Sequence, residues 1–325
     1  MGKKIFLFII CLLVLISSGC KDRSKDNAQA TSFSIKDDKG YVTTLNKKPE
    51  RILTLSMGLD SIVIGLKGTD SLVAISALHH DESCSNIVPI AKKIKRTILN
   101  VNTEEVMGLR PDVLLVGDWE SEEVIDGLRS IGLKVIVCKG PKSIQDIKDN
   151  IKLVAKSIGE EAKGDKLIGK MDEKLAELQD KLKKYQVKKK VALISLMKTY
   201  GGTGCIYDGI CNKANVINGI ADVGLKYGQP LTKEMFVKMN PDVFLLPSYQ
   251  FHGFELEKYN KEFLEDPALK GLTAIEKKSI FNPRDSYIYA SSQDVVFGVQ
   301  EVAWAAYGEE FKQEPHCHLS VANEK

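Results

Sequence analysis

The chain is poor in the side chains that most enzymes and most bare-metal sites need. Only five histidines occur in 325 residues, and two of them, His316 and His318, flank Cys317 in a polar stretch after Pro315. That leaves His79, His80 and His252, whereas a bare metal ion wants several histidines and carboxylates converging from both sides of a site. No Gly-x-Ser-x-Gly nucleophile elbow is present. Gly201-Gly202-Thr203-Gly204 lacks the Lys-Ser/Thr ending of a phosphate loop and reads as a turn that permits close backbone approach. An excess of one charge is also missing. The formal net charge is +3, and Lys3 and Lys4 account for two of those charges. Such a balance excludes nucleic acid and a polybasic membrane patch. Seven cysteines at irregular spacing make no disulfide framework. Cys138, after the apolar run 135–137, is expected in a buried strand. Cys205 and Cys211 can pair, as can other combinations, and the sequence does not choose. The 316–318 triplet reads as a frayed terminus.

What is present begins at the N-terminus. Lys3 and Lys4 precede twelve apolar residues (5–16), and Ser17-Ser18-Gly19-Cys20 follows. A membrane span needs about 20 residues, so this is a secretory signal over 1–19. The cysteine directly after small residues resembles a bacterial lipoprotein box, although Ser17 replaces the usual aliphatic residue. Cys20 is therefore expected to carry a lipid, with 20–32 as a disordered polar tether. This places the protein outside the cytoplasmic membrane, anchored to it.

From Arg51 onward, short apolar runs alternate with amphipathic stretches. Strands are expected at 52–55, 72–75, 113–116 and 135–137, and helices at 59–66, 102–109, 121–131 and 143–158. Such alternation implies a mainly parallel α/β sheet. Asn102 and Glu105 have capping-box spacing. Ile168, Met171, Leu175, Leu178, Leu182 and Tyr185 then form one apolar stripe. A helix over 160–185 would span about 39 Å. The α/β alternation restarts at 191–194. The fold class is therefore α/β: two Rossmann-like lobes (33–159 and 188–315) joined by one long helix (160–187), with a polar tail at 316–325. An internal repeat at an offset of 130 supports two related lobes. Residues 104–116 lie over 234–246, matching Glu104 to Glu234, Pro111 to Pro241 and Asp112 to Asp242. Beyond them, Trp119 matches Tyr249.

Residues 49–56 (PERILTLS) before a helix, 109–115 (LRPDVLL), the single long helix and 240–243 (NPDV) together resemble the substrate-binding proteins of ABC importers for ferric siderophores, haem and cobalamin. The resemblance covers roughly residues 40–312. It implies a class III periplasmic-binding-protein fold with the ligand between the lobes, no catalysis and no resident cofactor. The cargo it implies is a metal chelate, and a single candidate arginine in the cleft, Arg284, favours a corrinoid or a near-neutral ferric siderophore over a highly anionic one. It further implies a monomer that delivers to an ABC permease dimer with its ATPase. Glu104 and Glu234 match the glutamates that dock on the permease. Two carboxylates set apart on one face fix orientation and steer encounter. A surface-anchored two-lobed α/β hydrolase and a ligand sensor subunit are the alternatives.

In open α/β sheets, ligands bind beyond the carboxyl ends of the strands. That rule selects Ser56, Met57, His79, His80 and Trp119 from the first lobe. From the second it selects Tyr200, Tyr249, Arg284, Tyr287 and Tyr289, with Phe251 a further aromatic. Aromatic side chains would cover a large flat ligand at low entropic cost, and Arg284 would meet an anionic edge. Only one of the adjacent His79 and His80 is expected to face a ligand. A single rigid helix between the lobes implies small closure on binding.

Overall fold

The first lobe starts from a hairpin, β1 (Phe33–Lys36) and β2 (Val42–Leu45), paired antiparallel. The computed structural model describes residues 32–99, 102–251 and 253–324. The expected signal, Cys20 and the tether up to residue 31 lie outside the described residues, as does His252. Three strands then form a parallel sheet in the order β3 (Ile52–Thr54), β6 (Val113–Gly117) and β7 (Val135–Cys138). All twelve of their residues are buried, as expected of parallel strands covered on both faces. The strand expected at 72–75 is reduced. Leu72 makes a single parallel bridge to Ile52, and the strand proper is β4 (Ile75–Ser76), paired with β5 (Thr97–Ile98).

The second lobe holds a four-stranded parallel sheet in the order β11 (Ile280–Phe281), β10 (Val243–Leu245), β8 (Lys190–Leu193) and β9 (Ile217–Asn218). Between the sheets runs the 22-residue helix Glu161–Leu182. Its buried stripe is Leu167, Met171, Leu175, Leu178 and Leu182, so Leu167 takes the place expected for Ile168. Gly164 stands where a Cβ would lie 2.6 Å from Ala155 Cβ, which lets the helix Ile144–Ser157 pack closely against it. Among the described residues no helix is long and apolar enough to cross a membrane.

The repeat is structural as well as sequential. Helices Thr103–Leu109 and Lys233–Met239 both end on a left-handed non-glycine residue, Arg110 (φ 48°) and Asn240 (φ 43°). In the first lobe Asp112 accepts from the N–H of Arg51, while Arg51 donates to the carbonyls of Leu109 and Arg110. In the second, Asp242 accepts from the N–H of Lys190, and Lys190 Nζ donates to the carbonyl of Met239. Each Pro-Asp unit thus ties a helix end to the start of the neighbouring strand.

The five described cysteines are all free, so Cys205 and Cys211 do not pair. Cys138, Cys205 and Cys211 are buried. The turn at 201–204 does make a close approach. A Cβ on Gly202 would lie 2.6 Å from the carbonyl oxygen of Leu225.

The end of the described chain corrects the expectation of a frayed tail. Val321 is fully buried and its N–H donates to the carbonyl of Gly65 (2.8 Å) in the helix Met57–Lys67. Cys317 N–H donates to Tyr287 Oη (2.7 Å), and Leu319 N–H donates to Asp294 Oδ1 (2.9 Å). His318 Nδ1 lies 2.8 Å from Asp294 Oδ2. Lys163 and Lys170 of the linking helix donate to the carbonyls of Ala322 and Ser320. Residues 317–322 therefore stitch the first-lobe helix, the linking helix and the second lobe together. A polar sequence hid this role, because the contacts are mostly made by its backbone.

Candidate functional site

Loops that leave the carboxyl ends of five parallel strands converge on one cavity of about 460 Å³. Met57 follows β3, and His79, Cys84 and Asn86 follow β4. From the other lobe, Met197 follows β8, Tyr249 and Phe251 follow β10, and residues 285–292 follow β11. The floor is a direct contact between lobes. Gly58 faces Ser291 so closely that a Cβ would lie 2.1 Å from Ser291 Oγ. Beside it, Gln293 Nε2 donates to the carbonyl of Ser61 (2.8 Å). Ser83 Oγ lies 3.2 Å from Gln250 O across the cleft. The volume and the mix of apolar walls with a few polar groups suit a small-molecule ligand.

Of the residues selected from the sequence, Met57, His79, Tyr249 and Tyr289 line this cavity. Ser56, His80, Trp119, Tyr200, Arg284 and Tyr287 do not line it. Ser56 is the N-cap residue of the helix that follows. His80 is exposed, with Nε2 near the carbonyl of Ala91. Trp119 is 55% exposed and lies over Gly117 and Gly140, at the ends of β6 and β7. Tyr287 is fully buried, its hydroxyl held by Cys317. Tyr200 packs behind Tyr289, with ring centroids 4.9 Å apart, and so supports the wall from outside.

Arg284 needs the plainest correction. Its Nη1 lies 2.6 Å from Glu301 Oε1 and its Nη2 donates to the carbonyl of Gln313. Glu301 is 1% exposed. A buried carboxylate holds this guanidinium, which is therefore not free to meet an anionic ligand.

His79 is buried. Its Nε2 faces the carbonyl of Met57 (3.2 Å), which can only accept, so Nε2 carries the proton and Nδ1 accepts from Ser85 Oγ (2.8 Å). Burial pushes its pKa down to about 4, so the ring is neutral and both nitrogens are engaged. Asp60, 3.6 Å away, is fully buried and pushed up to about 7, opposed by hydrogen bonds from Thr54 and the Ser76 N–H. This pair braces the loop that carries His79 under the cavity. Among the described residues no group of three or more His, Cys, Asp or Glu side chains could hold a metal ion.

The sequence reading missed Cys84, Asn86, Leu196 and Met197 in the wall, while Leu78 and Asp285 lie in strand-exit loops that it selected without singling them out. It named Phe251 only as a general aromatic. Tyr249, Phe251 and Phe254 form a shelf at the mouth, with ring centroids 5.7 and 4.6 Å apart. A spacing of two aromatics in Tyr249-Gln250-Phe251 was the available signal.

Glu104 and Glu234 are exposed, each in the first turn of its repeat helix. One turn on, the exposed apolar residues Met107 and Val237 also match at the offset of 130. Both lobes thus present a carboxylate beside an apolar side chain.

Residues 52–287 match the family described as Periplasmic binding protein. The chain is 23% identical over 321 residues to the uncharacterized ABC transporter substrate-binding lipoprotein YvrC of Bacillus subtilis (strain 168), covering 94% of this chain and 97% of that one. It is 24% identical over 182 residues to the probable siderophore-binding lipoprotein YfiY of the same organism, covering 54% and 55% of the two chains. Among solved structures, the apo form of the periplasmic heme-binding protein RhuT from Roseiflexus sp. RS-1 superposes with a TM-score of 0.67 at 20% identity, over 79% of this chain and 97% of that one. The matched span takes in both parallel sheets, the linking helix and most of the cavity wall, and on that ground the chain belongs to the periplasmic binding protein family, a family of solute binders and not of enzymes.

Proposed function

We propose that this protein captures a metal chelate, a corrinoid or a ferric siderophore, between its lobes and delivers it to an ABC importer. One observation carries the reading: a largely apolar cavity of about 460 Å³, walled by the strand-exit loops of both lobes. An aromatic shelf at its mouth suits the apolar flanks of a chelate. A metal that enters brings its own ligands, since among the described residues no group of three or more His, Cys, Asp or Glu side chains could hold a bare ion. Glu104 and Glu234, with Met107 and Val237 beside them, dock the two lobes on a permease dimer driven by its ATPase. Cys20 carries the lipid that keeps the protein at the outer surface of the cell membrane, in keeping with relatives named as lipoproteins. The test is a titration with cyanocobalamin, haem, a ferric tris-hydroxamate and a ferric tris-catecholate, following intrinsic fluorescence and checking by equilibrium dialysis. One of the first or third should bind at micromolar concentration or below. Failure of all four to bind would remove the chelate reading.

A further inference from the structure

Among the described residues, the cavity wall carries one carboxylate, Asp285, and no lysine or arginine. Asp285 is only 3% exposed. Its Oδ2 accepts from the N–H groups of Ser248 (3.1 Å) and Tyr249 (2.9 Å). Its Oδ1 has no hydrogen-bond partner. The adjacent arginine does not neutralise it, because Arg284 is paired with Glu301. Burial pushes the Asp285 pKa up to about 6, the response of a carboxylate that lacks a countercharge. The one histidine among the described lining residues, His79, is neutral.

We propose that the cavity selects ligands of neutral or positive net charge, and that Asp285 is the residue that sets this preference. The inference rests on the chelate reading above and narrows it. An anionic chelate entering here gives up its hydration, meets no cation and faces a carboxylate through a low-dielectric wall. A cationic chelate supplies the countercharge that Asp285 lacks. The field acts across the wall whether or not a ligand group reaches Oδ1. Repulsion of the wrong charge is as effective a source of specificity as attraction of the right one.

The experiment uses one ferric linear tris-hydroxamate in three forms. One has a free terminal ammonium, one is N-acetylated and neutral, and one is N-succinylated and anionic. Metal, shape and bulk stay close while charge changes. The ammonium form should bind at least about tenfold more tightly than the anionic form, a gap that shrinks with added salt. Asp285→Asn keeps the shape and one acceptor for the two backbone N–H groups, and it should bring the three affinities within about threefold of one another. Melting of the variant checks that it is folded, and the charge series on the unmodified protein stands without it. Equal or tighter binding of the anionic form overturns this inference and leaves the chelate reading intact. So does an unchanged affinity ratio in a folded Asp285→Asn. If neither these forms nor the other chelates bind, the chelate reading falls and this inference falls with it.

Discussion

Asn86 Nδ2 donates to Asp294 Oδ2 across the two lobes at 2.8 Å, and the same amide donates to the carbonyl of Cys317, also at 2.8 Å. Asp294 in turn receives His318 and the N–H of Leu319. A first-lobe loop, a second-lobe helix start and the 317–322 segment therefore meet at one carboxylate, directly below the cavity.

Removal of residues 316–325 should cost several kcal/mol. Full burial of Val321 contributes about 2 kcal/mol, and each lost hydrogen bond about 1 kcal/mol. At roughly 2–4 °C per kcal/mol for a chain of this size, the melting temperature should fall on the order of 10 °C. A truncated protein that melts with the parent would show the stitching to be idle.

Arg284→Ala should damage stability more than binding. It leaves Glu301 buried and unpaired, which costs about 2–3 kcal/mol, at the low side for a broken buried pair because Arg284 is a third exposed. Tyr249→Ala should do the reverse, weakening the best ligand about tenfold, or 1.4 kcal/mol, with little change in melting. Trp119→Ala should leave affinity unaltered. Urea denaturation and ligand titration of the three variants separate these patterns. An Arg284→Ala protein of parental stability that no longer binds would return Arg284 to the ligand site.

Glu104→Ala and Glu234→Ala should each reduce uptake while ligand affinity stays at the parental value, and the double variant should be worse. The losses should diminish in high salt, as both groups are exposed. Met107→Ser and Val237→Ser should weaken the same step with little salt dependence. Normal uptake by the double glutamate variant would dismiss the docking role.

Asp60 and His79 set opposing pH slopes. His79 is held below its ordinary value of 6.5, at about 4, so its contribution is present above 6.5 and is lost as pH falls toward 4. Asp60 is raised from 3.8 to about 7, so its contribution is present below 3.8 and is lost as pH rises toward 7. Asp285, raised to about 6, has the same sign as Asp60. His80, His318 and Asp294 also act on His79. Between pH 4.5 and 6.5 the slopes offset. In Asp60→Asn the His79 slope stands less opposed, and stability should climb with pH more steeply than in the parent. Urea midpoints at both pH values measure it, and a slope no steeper than the parent's would contradict the assignment.

Strands, caps and the Pro-Asp repeat were legible because their causes are local. Apolar runs, the Asn102 cap and the proline after each helix act within a few residues. The fold followed from their order. The fate of Arg284 was not legible, since Glu301 lies seventeen residues away and either residue alone reads as surface charge. Trp119 obeyed the strand-exit rule yet missed the cavity, because it lies over the ends of β6 and β7 while the residues after β3 and β4 supply the first lobe's wall. The rule locates the rim of a sheet but does not say which part of that rim faces the ligand. The 317–322 segment was invisible for the opposite reason: its bonding is mostly backbone, and backbone bonding leaves no trace in composition.

The paired left-handed caps give the molecule an internal control. Arg110 and Asn240 hold one backbone shape in two copies of one unit, at φ 48° and 43°. Asparagine tolerates that shape better than arginine, and glycine better than either. Glycine placed at 110 relieves strain, whereas glycine placed at 240 also removes the Oδ1 that accepts from the Thr273 N–H (2.8 Å). The gain at 110 therefore measures what an unfavourable helix ending costs, and the gain at 240 sets that relief against one lost hydrogen bond.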